Sequence, residues 1–239
     1  MQGSYYLHIM SNIQGIDINK LEKKVMRSGA YTTLVPAVRE RLRLSSQGPR
    51  SAMEWIRARD VCQDREALKF TLPGPMTLMD GVVNLAYEKE TDLAKDLVAC
   101  INQEVLELAR VGCKYIQIDE PVMMRYPDKA LAYGLDNLAE CFAGVPEDVV
   151  KVTTVHIWRR EMCPSQVIHL CCGYPDKLDT DEYLKAPKTN YNLLAPKIDA
   201  LGFDEVSIED CEARNDLSLL SLFKQTKVSV RELTKSNAV

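Results

Sequence analysis

The sequence predicts an α/β chain built as a (β/α)8 TIM-type barrel, truncated at both ends. Three observations predict it. Short apolar strands alternate with helical segments at a repeat of roughly 35 to 45 residues, the rhythm of parallel strands joined by crossover helices. Polar residues gather where strands end, at Asp119-Glu120 and at Glu209, the place where such a barrel keeps its active site. No Gly-x-Gly-x-x-Gly follows a strand, which argues against a dinucleotide-binding sheet.

Met1 to Met10 shows no clear element. Asp17 to Arg27 spaces Ile18, Leu21 and Val25 at helical intervals, with Asp17 as N-cap and Gly29 as stop, and is expected to be a helix. Tyr31 to Val35 is β-branched and short, hence a strand ended by Pro36; Arg39 to Arg50 is polar and carries Gly48-Pro49, hence a loop. Ala52 to Asp60 forms a short helix, Leu68 to Leu72 a strand closed by Pro73-Gly74-Pro75, and Thr77 to Tyr87 a helix. Thr91 to Val111 is a long amphipathic helix, with Leu93, Leu97, Ile101, Val105 and Leu108 on one face. Lys114 to Asp119 and Lys151 to Ile157 read as strands around a helix from Asp128 to Phe142. Helices follow at Thr180 to Leu184, Tyr191 to Leu201 and Asp216 to Phe223, and strands at Glu205 to Ile208 and Lys227 to Val230. About six strands are legible where a closed barrel needs eight. The expected organisation is a single incomplete barrel domain over 1–239, with an insertion at 158–170 and a disordered tail at 231–239.

The 239 residues are 46% hydrophobic and 27% charged with net charge −4, which allows a sizeable core under an ordinary polar surface. No basic block points to nucleic acid, and no apolar run approaches the ~20 residues of a membrane span. The eight cysteines are scattered, not spaced as a disulfide framework, so reduced thiols and a cytoplasmic location are expected.

Two of the three histidines and three of the cysteines fall between Lys151 and Asp176. His169-Leu170-Cys171 is a His-x-Cys pair whose side chains share one face of a strand, and imidazole with thiolate suits zinc. Glu209 ends a later strand and is placed to add an oxygen ligand. Asp119 sits at a barrel mouth as a carboxylate able to pair with a cationic amine.

Four stretches then occur in order: Leu72-Pro73-Gly74-Pro75-Met76-Thr77; Ile116-Gln117-Ile118-Asp119-Glu120-Pro121; Val155-His156-Ile157 with Cys171-Cys172-Gly173; and Ser207-Ile208-Glu209. Together they resemble the catalytic barrel of cobalamin-independent methionine synthase, among the short single-barrel relatives of the uroporphyrinogen decarboxylase-like superfamily. The resemblance covers most of Ser4 to Lys227. It implies zinc-dependent methyl transfer from a methylfolate such as 5-methyltetrahydrofolate to homocysteine or a similar thiol. It places zinc on the His-x-Cys stretch with Cys171 and on Glu209, and the homocysteine amine on Asp119, the expected catalytic residue, beside Glu120.

The chain departs from that pattern. The segment Trp158 to Leu170 reads as inserted and leaves two candidate histidines, His156 and His169, of which the spacing to Cys171 favours His169. The family's fourth ligand, a later cysteine, has no match; Cys211 is the nearest spare thiol. An inactive or partner-dependent chain, associating through open barrel edges, and another zinc-dependent thiol alkyltransferase are the alternatives.

Overall fold

The computed structural model describes residues 5–26, 29, 31–62, 68–145, 167–170, 186–203, 205–209 and 215–231. The chain begins with α1 (Tyr5–Met10), then β1 (Ile13–Met26), β2 (Tyr31–Leu44), α2 (Ser51–Val61) and β3 (Lys69–Pro73). After β3 come α3 (Pro75–Asp80), the short β4 (Val83–Asn84), α4 (Glu90–Arg110), β5 (Tyr115–Asp119) and α5 (Pro121–Arg125). A continuous helical stretch joins α6 (Pro127–Lys129), a π-helical turn (Ala130–Gly134) and α7 (Leu135–Glu140). The remainder is β6 (Val167–Leu170), α8 (Thr189–Ala200), β7 (Glu205–Glu209), a 3-10 helix (Leu217–Leu222) and β8 (Lys227–Arg231). Among the described residues, no helix is long and apolar enough to cross a membrane.

Five strands form one sheet in the order β3-β5-β6-β7-β8, every neighbouring pair parallel. Strands laid down in chain order, all parallel, with helices between them are the arrangement of a TIM-type barrel wall. The register runs straight across the sheet: Pro73 pairs with Asp119, Asp119 with His169, His169 with Ser207, and Ser207 with Ser229. One face of the sheet is apolar and buried, through Leu72, Ile116, Ile118, Leu170, Val206 and Ile208. The core continues into α4, whose Leu93, Leu97, Ile101, Val105 and Leu108 are buried as the helical spacing requires.

The largest departure from expectation lies at the start of the chain. Asp17 to Arg27 is not a helix: its described residues, through Met26, belong to β1, which pairs antiparallel with β2 in a long hairpin. The Ile18, Leu21 and Val25 spacing marks no buried face, since these side chains are 37%, 38% and 63% exposed. Lys and Glu suit a helix, but pairing with the β-branched run of β2 outweighs that preference. Asp17 caps a turn instead of a helix, its Oδ1 accepting from the N–H of Asn19 and of Lys20 where the register shifts. The other shift follows Gln14, where Gly15 has φ 97° and a Cβ would meet the Glu40 carbonyl at 2.8 Å.

Other boundaries move too. β2 passes through Pro36 and absorbs Arg39 to Leu44, which was expected as loop. Pro36 pairs with Leu21 beside a register shift, where a missing N–H is tolerated. The helix expected from Thr77 stops at Asp80, followed by β4. Asp216 to Phe223 is a 3-10 turn, with Asp216 accepting from Ser218 N–H. The expected elements at Lys151 to Ile157 and Thr180 to Leu184 lie outside the described residues. Of the segment expected as an insertion, Val167–Leu170 forms β6, and the rest lies outside them. Of the expected tail, Arg231 ends β8 and 232–239 lie outside them.

Three side chains far from their partners in sequence hold the elements in place. Glu120, fully buried after β5, accepts from Met76 N–H (2.7 Å), Thr77 N–H (3.0 Å) and the Thr77 hydroxyl (3.0 Å). With Pro75 carrying no N–H and Leu78 N–H bonded to the Gly74 carbonyl, every donor of the first turn of α3 is satisfied. Burial pushes the Glu120 carboxyl up to about 8, although the Thr77 hydroxyl and the two backbone donors pull it down. Lys24 of β1 donates to the carbonyls of Met79, Asp80 and Val82, pinning the hairpin to the other end of α3. Glu104 of α4 accepts from Asn12, from Arg50 N–H and from Ser51 N–H, fastening α2 and the start of the hairpin.

Asp199 of α8 does the same for the turn before β8, accepting from the N–H groups of Lys224, Gln225 and Thr226. Burial alone would raise its carboxyl, but the three donors outweigh burial and hold it at about 2, below the usual 3.8. A depressed carboxylate adds stability that is complete above the unfolded value and lost as pH falls through the folded one. The thermal midpoint is therefore expected to drop between pH 3.8 and about 2, with Asp199→Asn lowering it at neutral pH and shrinking that acid-side drop. Superimposable pH–midpoint curves for parent and variant would contradict this. At the α3 latch, a Cβ on Gly74 would overlap Cγ and Oε1 of Glu120. Gly74→Ala is expected to cost about 1–3 kcal/mol in urea unfolding, the usual penalty for overpacking a rigid site.

Candidate functional site

The side chains opposite the apolar face of the five-stranded sheet are polar. Side chains alternate along a strand, so the residues paired with Asp119 and those two positions away share its face. That face carries Lys69 and Thr71 of β3, Gln117 and Asp119 of β5, His169 of β6, Glu205 and Ser207 of β7, and Lys227 and Ser229 of β8. Gln117 and Glu205 are each 6% exposed and Ser207 is fully buried, so these groups must find partners within the protein.

Most do. Lys69 Nζ donates to Gln117 Oε1 at 2.5 Å, and Gln117 Nε2 donates to Asp119 Oδ1. His169 Nδ1 lies 3.2 Å from Ser207 Oγ. Lys227 Nζ and Glu205 Oε2 form an ion pair at 3.0 Å. Ser229 Oγ is buried with no hydrogen-bond partner among the described residues, in the same register row as His169 and Ser207. Asp119 and His169 sit on adjacent strands, Asp119 as the last residue of β5 and His169 as the last but one of β6. The backbone closes the same corner: Gly74 N–H donates to the Asp119 carbonyl and Glu120 N–H to the His169 carbonyl.

The structure thus brings Asp119 and His169 together and sets Glu209 two residues beyond Ser207 on the neighbouring strand. His156, Cys171 and Cys211 lie outside the described residues. Glu120, expected beside Asp119 on the substrate, has its carboxylate buried against α3. Glu120 lies just past the end of β5, where the chain turns into α5, and a fully buried acid is drawn to the nearest cluster of N–H donors. Cys100, Cys113 and Cys141 are buried in the core, where burial raises their thiols: Cys100 to about 12, Cys113 to about 11 and Cys141 well above its usual value. They are poor thiolates, and none lies at the carboxyl end of a strand. Among the described residues, no group of three or more His, Cys, Asp or Glu is gathered to hold a metal ion.

Gln117, Lys69 and Ser207 were not singled out from the sequence. The signal was present in Ile116-Gln117-Ile118-Asp119 and Val206-Ser207-Ile208-Glu209, where polar and apolar residues alternate with the period of a strand. A cleft of about 270 Å³ opens beyond the strand ends, between residues that follow Gly74 and Glu120. Lys24, Met76, Met79, Tyr126, Lys129 and Tyr133 line it, and Asp119 and His169 stand outside it.

Comparison with known proteins agrees with this architecture. Residues 12–139 match the catalytic domain of the cobalamin-independent synthases, a stretch that contains Gly74, Gln117, Asp119 and Glu120 and ends before β6. Methionine synthase of Sulfurisphaera tokodaii is 32% identical over 146 residues, which are 58% of this chain and 37% of that protein. Methionine synthase of Sulfolobus acidocaldarius is 33% identical over 138 residues, 55% of this chain and 35% of that protein. The chain therefore aligns with little more than a third of the length of these relatives. A solved B12-independent methionine synthase from Shewanella sp. W3-18-1, in complex with selenomethionine, superimposes with a TM-score of 0.75 at 23% identity, over 93% of this chain and 60% of that one. That likeness establishes a shared fold. With more than half of its length matched and the barrel-type sheet in place, the chain belongs to the cobalamin-independent synthase catalytic-domain family.

Proposed function

We propose that this chain carries the amino-acid half of a zinc-dependent methyl transfer, from 5-methyltetrahydrofolate or its polyglutamate to the thiol of homocysteine, giving methionine. The observation that supports it most directly is the pairing of Asp119 with His169 at the carboxyl ends of adjacent parallel strands. Such a pair offers an anion for an ammonium group next to a nitrogen ligand for a metal. The solved relative was captured with selenomethionine, an amino acid of the product's shape.

In this reading Asp119 accepts the α-ammonium of the amino-acid thiol in a charge-assisted hydrogen bond. Gln117 holds the Asp119 carboxylate from behind. Zinc would be held by His169, Cys171 and Glu209, with His156 as the alternative imidazole. The described residues fit to this extent: His169 lies on the polar face, Ser207 occupies its Nδ1 side, and Glu209 is the last residue of β7, the strand that carries Ser207. When bound there, zinc stabilises the thiolate at neutral pH and so supplies the nucleophile. Ser207 at Nδ1 restrains the imidazole ring, so that Nε2 would be the nitrogen offered to a metal. Glu120 acts through backbone, holding the turn at Gly74 so that Asp119 keeps its position. Cytoplasmic location and association through the outer strands of the sheet belong to the same proposal.

Two measurements test it. Asp119→Asn is expected to weaken methionine binding by about tenfold or more, the worth of a hydrogen bond to a charged group, and to leave zinc content unchanged. Loss of zinc in that variant would move Asp119 into the metal site. His169→Ala is expected to abolish stoichiometric zinc in the purified protein while His156→Ala retains it. The opposite pattern assigns the ligand to His156. Zinc content like the parent's in both variants removes histidine from the site and with it the zinc reading, leaving an inactive or partner-dependent chain.

A further inference from the structure

We propose that Gln117 is the residue that positions Asp119 for an amino-acid ligand, and that Lys69 holds Gln117 in the orientation that does so. The inference rests on the reading that Asp119 receives the ligand's ammonium. Gln117 is 6% exposed and sits between Ile116 and Ile118, both fully buried on the other face of β5. Its backbone is therefore fixed, and only the side chain has freedom to lose.

That freedom is removed from both ends. The amide oxygen accepts from Lys69 Nζ at 2.5 Å, and the amide nitrogen donates to Asp119 Oδ1. A glutamine amide has one acceptor end and one donor end, a lysine only donates, and an ionised aspartate only accepts. Turning the amide over would set N–H against ammonium and oxygen against carboxylate, so one orientation alone is compatible with both neighbours. The Asp119 carboxylate, whose terminal torsion is otherwise broad, is held by the Oδ1 bond.

The intervening amide also explains why lysine is not in glutamine's place. A lysine in direct contact with Asp119 would neutralise the carboxylate and compete with an incoming ammonium. A neutral donor orients the anion without cancelling its charge. An ammonium ligand then meets a carboxylate already in place, which lowers the ordering cost of binding. A thiol or thioether without an amine gains nothing from this arrangement, so Gln117 contributes to choosing amino acids over their des-amino analogues.

The test is calorimetric binding of methionine and of its des-amino analogue to the purified full chain. Gln117→Met is expected to weaken methionine binding about tenfold, the cost of one charge-assisted hydrogen bond, and to change the des-amino analogue by less than about twofold. Lys69→Met is expected to give a smaller loss of the same selectivity, about threefold, which Lys69→Arg restores. If Gln117→Met does not fold, the Lys69 pair decides alone. Parent-like methionine binding in these variants, or equal losses for both ligands, overturns the proposal. A parent chain that does not distinguish methionine from the des-amino analogue overturns instead the role given to Asp119, and this inference with it.

Discussion

The buried carboxylate of Glu120 is the contact on which the site depends. It takes two backbone N–H groups and a hydroxyl at the start of α3, and it leaves no room for a Cβ at position 74. The Pro-Gly-Pro sequence then has a physical reason. Pro73 ends β3 opposite Asp119, Gly74 lets the carboxylate through, and Pro75 opens α3 without an N–H to satisfy. Through Gly74 N–H to the Asp119 carbonyl and Glu120 N–H to the His169 carbonyl, one corner joins the carboxyl ends of three strands. Two consecutive residues thus divide the work: Glu120, just past the end of β5, fixes the backbone, and Asp119, its last residue, is presented to the polar face.

That polar face is the second constraint. Parallel strands buried under helices on both sides usually read as continuous apolar runs. Here the period-two alternation is retained, with Ile116, Ile118, Val206 and Ile208 toward the helices and Gln117, Asp119, Ser207 and Glu205 on the other side. Buried polar groups tolerate this placement when they bond one another, as Lys69, Gln117 and Asp119 do, and as Lys227 does with Glu205. The arrangement makes each side chain's orientation depend on its neighbour across the sheet. Orientation of that kind preorganises the polar groups of a binding face before any ligand arrives.

The hairpin of β1 and β2 enters as a separate layer, held by Lys24 on the carbonyls that end α3 and by Glu104 near its base. Burial pulls the Lys24 ammonium below its usual range, against the attraction of Asp80 and Glu90. Its three carbonyl partners compensate for lost water, so a lysine that looks in sequence like part of a solvated helix is a fastener between layers. The same α3 is therefore capped at one end by an acid from β5's exit and at the other by a base from β1, each taking up backbone groups that a helix end leaves without partners.

What the sequence determined by itself was local and periodic. The strand–helix alternation, the amphipathic stripe of α4, the rigid turn at Pro73 to Pro75 and the carboxylates at strand ends follow from residue type and spacing, because they need no distant partner to be recognised. Tertiary structure alone decided the rest. Lys and Glu between Asp17 and Arg27 favour a helix locally, and only pairing with β2 makes that stretch a strand. Asp119 and Glu120 are adjacent acids of similar intrinsic character, and only the alternation of β5 with the donors of α3 sends one to the polar face and buries the other. The placement of His169 between Asp119 and Ser207 likewise rests on register across three strands separated by long stretches of chain. Such contacts carry no local signature, because the free energy that selects them comes from partners that folding brings together.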